Sequence, residues 1–178
     1  MSTFYRLLYP TPLGEFSIVM RGEDKLGTPF FVHDDQAAQA PSAIDVDVDI
    51  NFLKYERVRP DFLFTTWGIP LFSQNFVDNA SAEFLAEVDL IPAELHFRGG
   101  RSAWFAAKTK KYLKLVDNDA SKFSNIRGIK LLTKASFHSS VEDFNLARDA
   151  EHKRVFVASE KVIAMIKDKN LRMEFWPY

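Results

Sequence analysis

From Ile44 to Ile50 apolar and acidic side chains alternate without interruption: Ile44, Val46, Val48 and Ile50 against Asp45, Asp47 and Asp49. Successive side chains of a strand point to opposite faces, so this segment is predicted as a half-buried strand with its three carboxylates in water. A period near 3.6 recurs at Val162, Ile163 and Ile166, with Met165 beside them, and predicts an amphipathic helix that starts near Ser159 and stops at Asn170. Ser73 is placed to cap a second helix over 74–87, weakened in the middle by Asn79, Ala80 and Ser81. Apolar runs at 4–9, 16–20, 90–97, 112–116, 129–133, 155–157 and 172–176 read as strands. Phe62, Leu63 and Phe64 follow a turn at Pro60 and Asp61. Phe52, Leu53 and Tyr55 either extend the strand before them or open a short helix. Residues 21–42 carry Gly22, Gly27, Pro29 and Pro41 and read as a long loop with at most one helical turn. Residues 136–151 are polar and show no period. Strands outnumber helices without regular alternation, which predicts a single α+β domain over residues 1–178, its sheet mainly antiparallel or mixed, with a few packed helices.

Composition narrows the chemistry. The 178 residues contain no Cys, which removes disulfide frameworks, thiolate nucleophiles and Cys-containing zinc sites. The 17 Phe residues are enough to supply most of a core. Residues 1–20 lack the basic flank and unbroken apolar stretch of a signal peptide, and no apolar run is long enough to span a bilayer. A soluble cytoplasmic protein is expected. The net charge of −1 disfavours nucleic-acid binding by bulk charge but conceals an asymmetry. Residues 1–100 hold seven bases and fifteen acids, whereas residues 101–178 hold sixteen bases and nine acids. Either the two halves neutralise each other where they pack, or the surface is dipolar and steers a charged partner.

Local motifs give little catalytic signal. Asp45, Asp47, Asp49, Asn51 and Glu56 match the ligand spacing of a calcium loop, but Ile50 stands where that loop needs Gly, and an acid-faced strand accounts for every residue. His33, His96, His138 and His152 share no metal-ligand spacing, and neither a nucleophile elbow nor a phosphate-cradling loop occurs. No catalytic, cofactor or metal residue is assigned. Lys108, Lys110, Lys111 and Lys114, with Trp104, Phe105 and Tyr112, form the densest basic and aromatic stretch, which fits a solvated strand face or an RNA-binding surface.

Several segments together resemble a family of bacterial immunity proteins encoded beside polymorphic toxins that pass between competing cells. They are Asp61-Phe62-Leu63-Phe64, Gly68-Ile69-Pro70-Leu71-Phe72-Ser73, Tyr112 to Val116 followed by Asp117 and Ser121, Val155 to Glu160, and Leu171 with Phe175-Trp176-Pro177. The resemblance is strongest over 61–178. It implies a non-enzymatic cytoplasmic antidote that binds one cognate effector toxin domain stoichiometrically. Asp45, Asp47 and Asp49 are the expected partner-steering residues. An enzyme that reverses a toxin's modification and an RNA-binding module are the alternatives, and the oligomeric state is open.

Overall fold

The computed structural model describes residues 3–178, and at Glu23 the backbone alone. Met1 and Ser2, where the segment read for a leader begins, lie outside the described residues. In chain order the elements are β1 (Tyr5–Leu8), a short 3-10 turn (Thr11–Leu13), β2 (Ile18–Met20), a wide helical stretch (Glu23–Val32), β3 (Ile44–Asn51), α1 (Phe52–Val58), β4 (Phe62–Phe64), β5 (Pro70–Ser73), α2 (Gln74–Asn79), α3 (Ala82–Ala86), β6 (Val88–Arg98), β7 (Gly100–Thr109), β8 (Tyr112–Leu113), β9 (Lys122–Ile126), β10 (Ile129–Lys134), β11 (Leu146–Asp149), β12 (Phe156–Ala158), α4 (Glu160–Asp168) and β13 (Glu174–Pro177). This is a single-domain α+β fold with mixed sheets. Among the described residues no helix is long and apolar enough to cross a membrane.

One sheet has six strands in the order β2-β3-β6-β7-β5-β4, and a second has five in the order β13-β1-β12-β11-β8. β9 and β10 form a separate two-stranded hairpin. β3 runs parallel to β6, whereas β6 and β7 are an antiparallel pair turning at Gly99, whose φ of 91° a side-chain-bearing residue rarely adopts. The predicted alternation of β3 holds at every position, with Ile44, Val46, Val48 and Ile50 buried and the intervening polar residues exposed. Its buried face joins Phe31, Val32, Leu71, Leu95 and Trp104 in one core. A second core brings Leu7, Phe72, Phe76, Phe84, Phe156 and Ile163 together, so residues of both large sheets and three helices share it. Burial of apolar area at roughly 25 cal/mol per Å² is therefore what holds the sheets in one body.

Differences from the sequence reading have local causes. The helix expected over 74–87 is two: Ser73 caps α2 through a 3.0 Å bond from the Phe76 amide, and Ser81 caps α3 through 3.1 Å from Phe84. Residues 23–32 are helical where a loop was expected, with the His33 amide reaching five residues back to Thr28. Phe30, Phe31 and Val32 are buried there, and that burial outweighs the breaking tendency of Gly27 and Pro29. The strand expected over 112–116 ends at Leu113, because the Leu115 and Val116 amides turn to the Asp149 carboxylate at 2.9 and 2.8 Å. Strands β4, β5, β7, β9 and β11 were not expected. β11 is buried at all four positions, but Arg148 and Asp149 within it mask the apolar signal of a central strand.

Candidate functional site

The three aspartates of β3 lie in a row on the solvent face of the six-stranded sheet, each about half exposed or more, and each stands within ion-pair distance of an arginine from a neighbouring strand or turn. Arg21 donates to Asp47 from Nε at 3.0 Å and Nη2 at 2.7 Å, and also stands 3.9 Å from Asp45. This bond holds the Asp47 carboxyl below the usual carboxylate range and lifts the Arg21 guanidinium above its own. Arg98 reaches Asp49 at 3.3 Å. His96 Nε2 lies 2.6 Å from Asp45 and 3.4 Å from Glu94, and Arg101 sits 3.0 Å from Glu94. The face thus sets Arg21, Arg98 and Arg101 against four carboxylates, so most of the charge of Asp45, Asp47 and Asp49 is offset before a partner arrives.

Asp45, Glu94 and His96 bring three ligand-type atoms within 4.8 Å of one another, a donor set that suits a divalent ion. Arg21 and Arg101 already stand against those carboxylates and oppose an added cation. The calcium-loop spacing has a different outcome. β3 remains extended through Asn51, so its carboxylates do not wrap around a point.

In the basic stretch at the end of β7 and just beyond it, Lys108, Lys110 and Lys111 meet carboxylates, while Lys114 forms no ion pair among the described residues. Lys108 pairs with Asp34 at 2.7 Å, Lys110 with Asp89 at 3.2 Å and Lys111 with Glu142 at 3.3 Å. Four ion pairs, made by Arg101, Lys108, Lys110 and Lys161, link the basic half of the chain to the acidic half. Much of the sequence asymmetry therefore cancels through packing. The family-like polar residues have structural duties. Buried Asp61 accepts from the Ser73 hydroxyl, from Asn75 at 3.0 Å and from the Arg172 amide at 2.7 Å. Asp117 accepts from the amides of Asp119 and Ala120, and the Ser121 hydroxyl accepts from the Ser136 amide at 2.8 Å.

Arg148 and Asp149 form the most buried polar pair of neighbours, neither more than 1% exposed. Arg148 donates to the carbonyls of Lys153 at 3.0 Å and of Gly68, and its guanidinium lies 5.0 Å from the Phe156 ring centre. Burial pulls its pKa down to about 10, which leaves it protonated at neutral pH. Asp149 accepts from four backbone amides, those of Leu115, Val116, Glu151 and His152. These two residues clamp the loops around β11, and one of those loops, 150–155, forms a wall of the groove described next.

Uncompensated charge gathers at this groove. It has a volume of about 660 Å³ and runs between β10 and residues 152–155, with Arg6 and Tyr178 completing it. A smaller groove of about 340 Å³ continues it and shares Arg6, Arg154 and Tyr178. Lys130, Lys134, Lys153, Arg154, Arg6 and His152 line the larger groove, and no Asp or Glu does. Among the described residues none of these five lysines and arginines forms an ion pair. Four lie over rings instead: Arg6 over Tyr178, Lys130 over Phe123, Lys153 over Tyr112 and Arg154 over Trp67, at 4.1 to 5.8 Å. A ring face positions a cation without cancelling its charge. The signal in sequence was the excess of bases after residue 100, but these residues are scattered along the chain and only the fold assembles them.

No family model matches the chain, and no curated protein matches it.

Proposed function

We propose that this protein is a recognition module, an immunity protein that neutralises a cognate effector toxin in the cytoplasm by stoichiometric contact. One observation carries the reading. Five lysines and arginines line one groove that holds no Asp or Glu, none of them forms an ion pair among the described residues, and four of them are held over rings. Fixed, unbalanced charge attracts an oppositely charged macromolecule and speeds its capture. Exposed Ile126, Ile129 and Leu131 on the neighbouring hairpin, and Trp176 on β13, add the apolar contact that gives an interface its strength. The family resemblance over 61–178 supplies the biological setting. An antidote needs a dissociation constant near nanomolar, about 12 kcal/mol, because one free toxin molecule acts on many targets.

The test is coexpression with the neighbouring reading frame. A one-to-one complex, and protection that requires one antidote per toxin, are expected. A harmless neighbour that forms no complex would end the reading, and protection at strongly substoichiometric amounts would point to an enzyme that reverses the toxin's modification. The same cations favour a second reading, single-stranded RNA binding, with the groove in place of the stretch from Lys108 to Lys114. Salt-sensitive RNA affinity that survives replacement of the groove cations would remove it.

A further inference from the structure

We propose that the groove beside β10 is a docking site for an extended acidic polypeptide segment, which adds as a third strand to the free edge of the β9–β10 hairpin. Only the identity of the partner as a toxin rests on the function proposed above. The chemistry of the segment rests on the groove itself.

The first argument concerns geometry. Residues 130–135 line the groove in unbroken succession. A strand that presents a face shows every second residue, whereas one that presents its edge shows consecutive residues, main chain included. β10 pairs with β9 on one side, and no strand among the described residues pairs with its other side. An edge of unpaired amides and carbonyls is a template for another strand. The hairpin also needs a cover. Every residue of β10 except Leu132 is exposed, with Ile129 64% and Leu131 44% accessible, and a two-stranded hairpin in water is marginal without a third partner.

Charge selects what the added strand carries. Lys130 and Lys134 stand on β10 itself, while Arg6, Lys153 and Arg154 belong to the opposite wall or floor. A segment laid between the two walls meets cations on both sides, so carboxylates on its alternate residues are matched. Nucleic acid satisfies the charge but not the edge, because its backbone has no amide period. It also lacks free stacking platforms here. Tyr178 is covered by Arg6 and by Phe137, and Trp67, Phe123 and Tyr112 each already hold a cation against the ring.

The test uses the full chain and a fluorescein-labelled decapeptide of alternating Glu and Val, followed by anisotropy at two salt concentrations. Saturable, salt-weakened binding is expected, with slowed amide exchange across 129–134. The double variant Lys130→Glu, Lys134→Glu is expected to weaken it by about tenfold or more, because two attractions become repulsions. The same peptide N-methylated at alternate amides keeps its charge but cannot pair along the edge, and it is expected to lose a similar factor. Arg154→Glu checks the opposite wall. Since all these side chains are solvent-exposed, circular dichroism is expected to match the parent chain. No binding, or equal binding by the charge-reversed chain, overturns the proposal. Equal binding of the N-methylated peptide overturns strand addition. Tighter binding of oligothymidylate of the same charge, lost in the double variant, reassigns the groove to phosphate backbones. One-to-one toxin neutralisation by a double variant that no longer binds peptide would leave the proposed function standing and exclude this groove from it.

Discussion

Replacing Asp149 by Ala removes the acceptor of four backbone amides in one step. Two of those amides, on Leu115 and Val116, belong to residues no more than 1% exposed, so water cannot take the place of the carboxylate. The other two, on Glu151 and His152, lie at the surface of the loop and can be rehydrated. A hydrogen bond to a charged group contributes about 1.5–3 kcal/mol, and a buried donor left without a partner incurs its full desolvation cost. The two inner amides then account for roughly 3–6 kcal/mol, and the two outer ones add about 1 kcal/mol together. Against a typical domain stability of about 5–15 kcal/mol, Asp149→Ala is expected to fold marginally or not at all at 37 °C. Asp117→Ala is the matched control. Its carboxylate accepts from the exposed Asp119 and Ala120 amides, and the expected loss is about 1 kcal/mol. Urea unfolding followed by far-UV circular dichroism measures both, with m shared between variants. A midpoint for Asp149→Ala within about 1 kcal/mol of the parent, at unchanged m, would refute the claim that this carboxylate organises the β8 to β11 region.

Ser73→Ala removes both the α2 cap and a hydroxyl donor to buried Asp61, and is expected to cost about 2–3 kcal/mol by thermal or urea unfolding; Ser73→Thr, which keeps the hydroxyl, restores most of it. Gly100→Ala places a methyl group within 2.3–2.6 Å of the Phe52 ring and is expected to cost about 1–3 kcal/mol, with altered near-UV dichroism from the Phe52, Tyr55 and Phe97 cluster. At Gly128 an added Cβ meets nothing within 4 Å, so only the strain of its φ of 83° acts, about 1 kcal/mol. Arg21→Met is expected to return the Asp47 carboxyl to the ordinary range in a carboxyl NMR titration. Because the folded carboxyl titrates below its unfolded value, the pair stabilises the fold at neutral pH and that contribution fades as pH falls below about 4; both groups are half exposed, so solvent screens most of the attraction and the two chains are expected to differ little in stability at pH 7.

The helix break at Asn79–Ser81, the cap at Ser73 and the left-handed stop at Asn170 were all readable from residue type, since each depends on a side chain acting on its own or a nearby backbone. The strand β11 was not. Its sequence Leu-Ala-Arg-Asp carries two charges, and their burial becomes tolerable only when Gly68, Lys153 and the amides of 115–116 and 151–152 converge from distant segments. The wide helix at 23–32 had the same origin, because the burial that stabilises it comes from a sheet the local sequence does not contain.

Local periodicity determined β3, α4 and the α+β class, because hydrophobic period and backbone conformation are coupled within a few residues. Which charges remain unbalanced was decided by tertiary structure alone. Asp45, Asp47 and Asp49 looked like a free acidic row and Lys108, Lys110 and Lys111 like a free basic one, yet strand register and packing brought each lysine a carboxylate and each aspartate an arginine within ion-pair distance. Arg6, Lys130, Lys134 and Arg154 drew no notice in the chain, and folding set them around one groove without such partners. Coulomb attraction depends on separation in space, and separation in sequence carries almost no information about it.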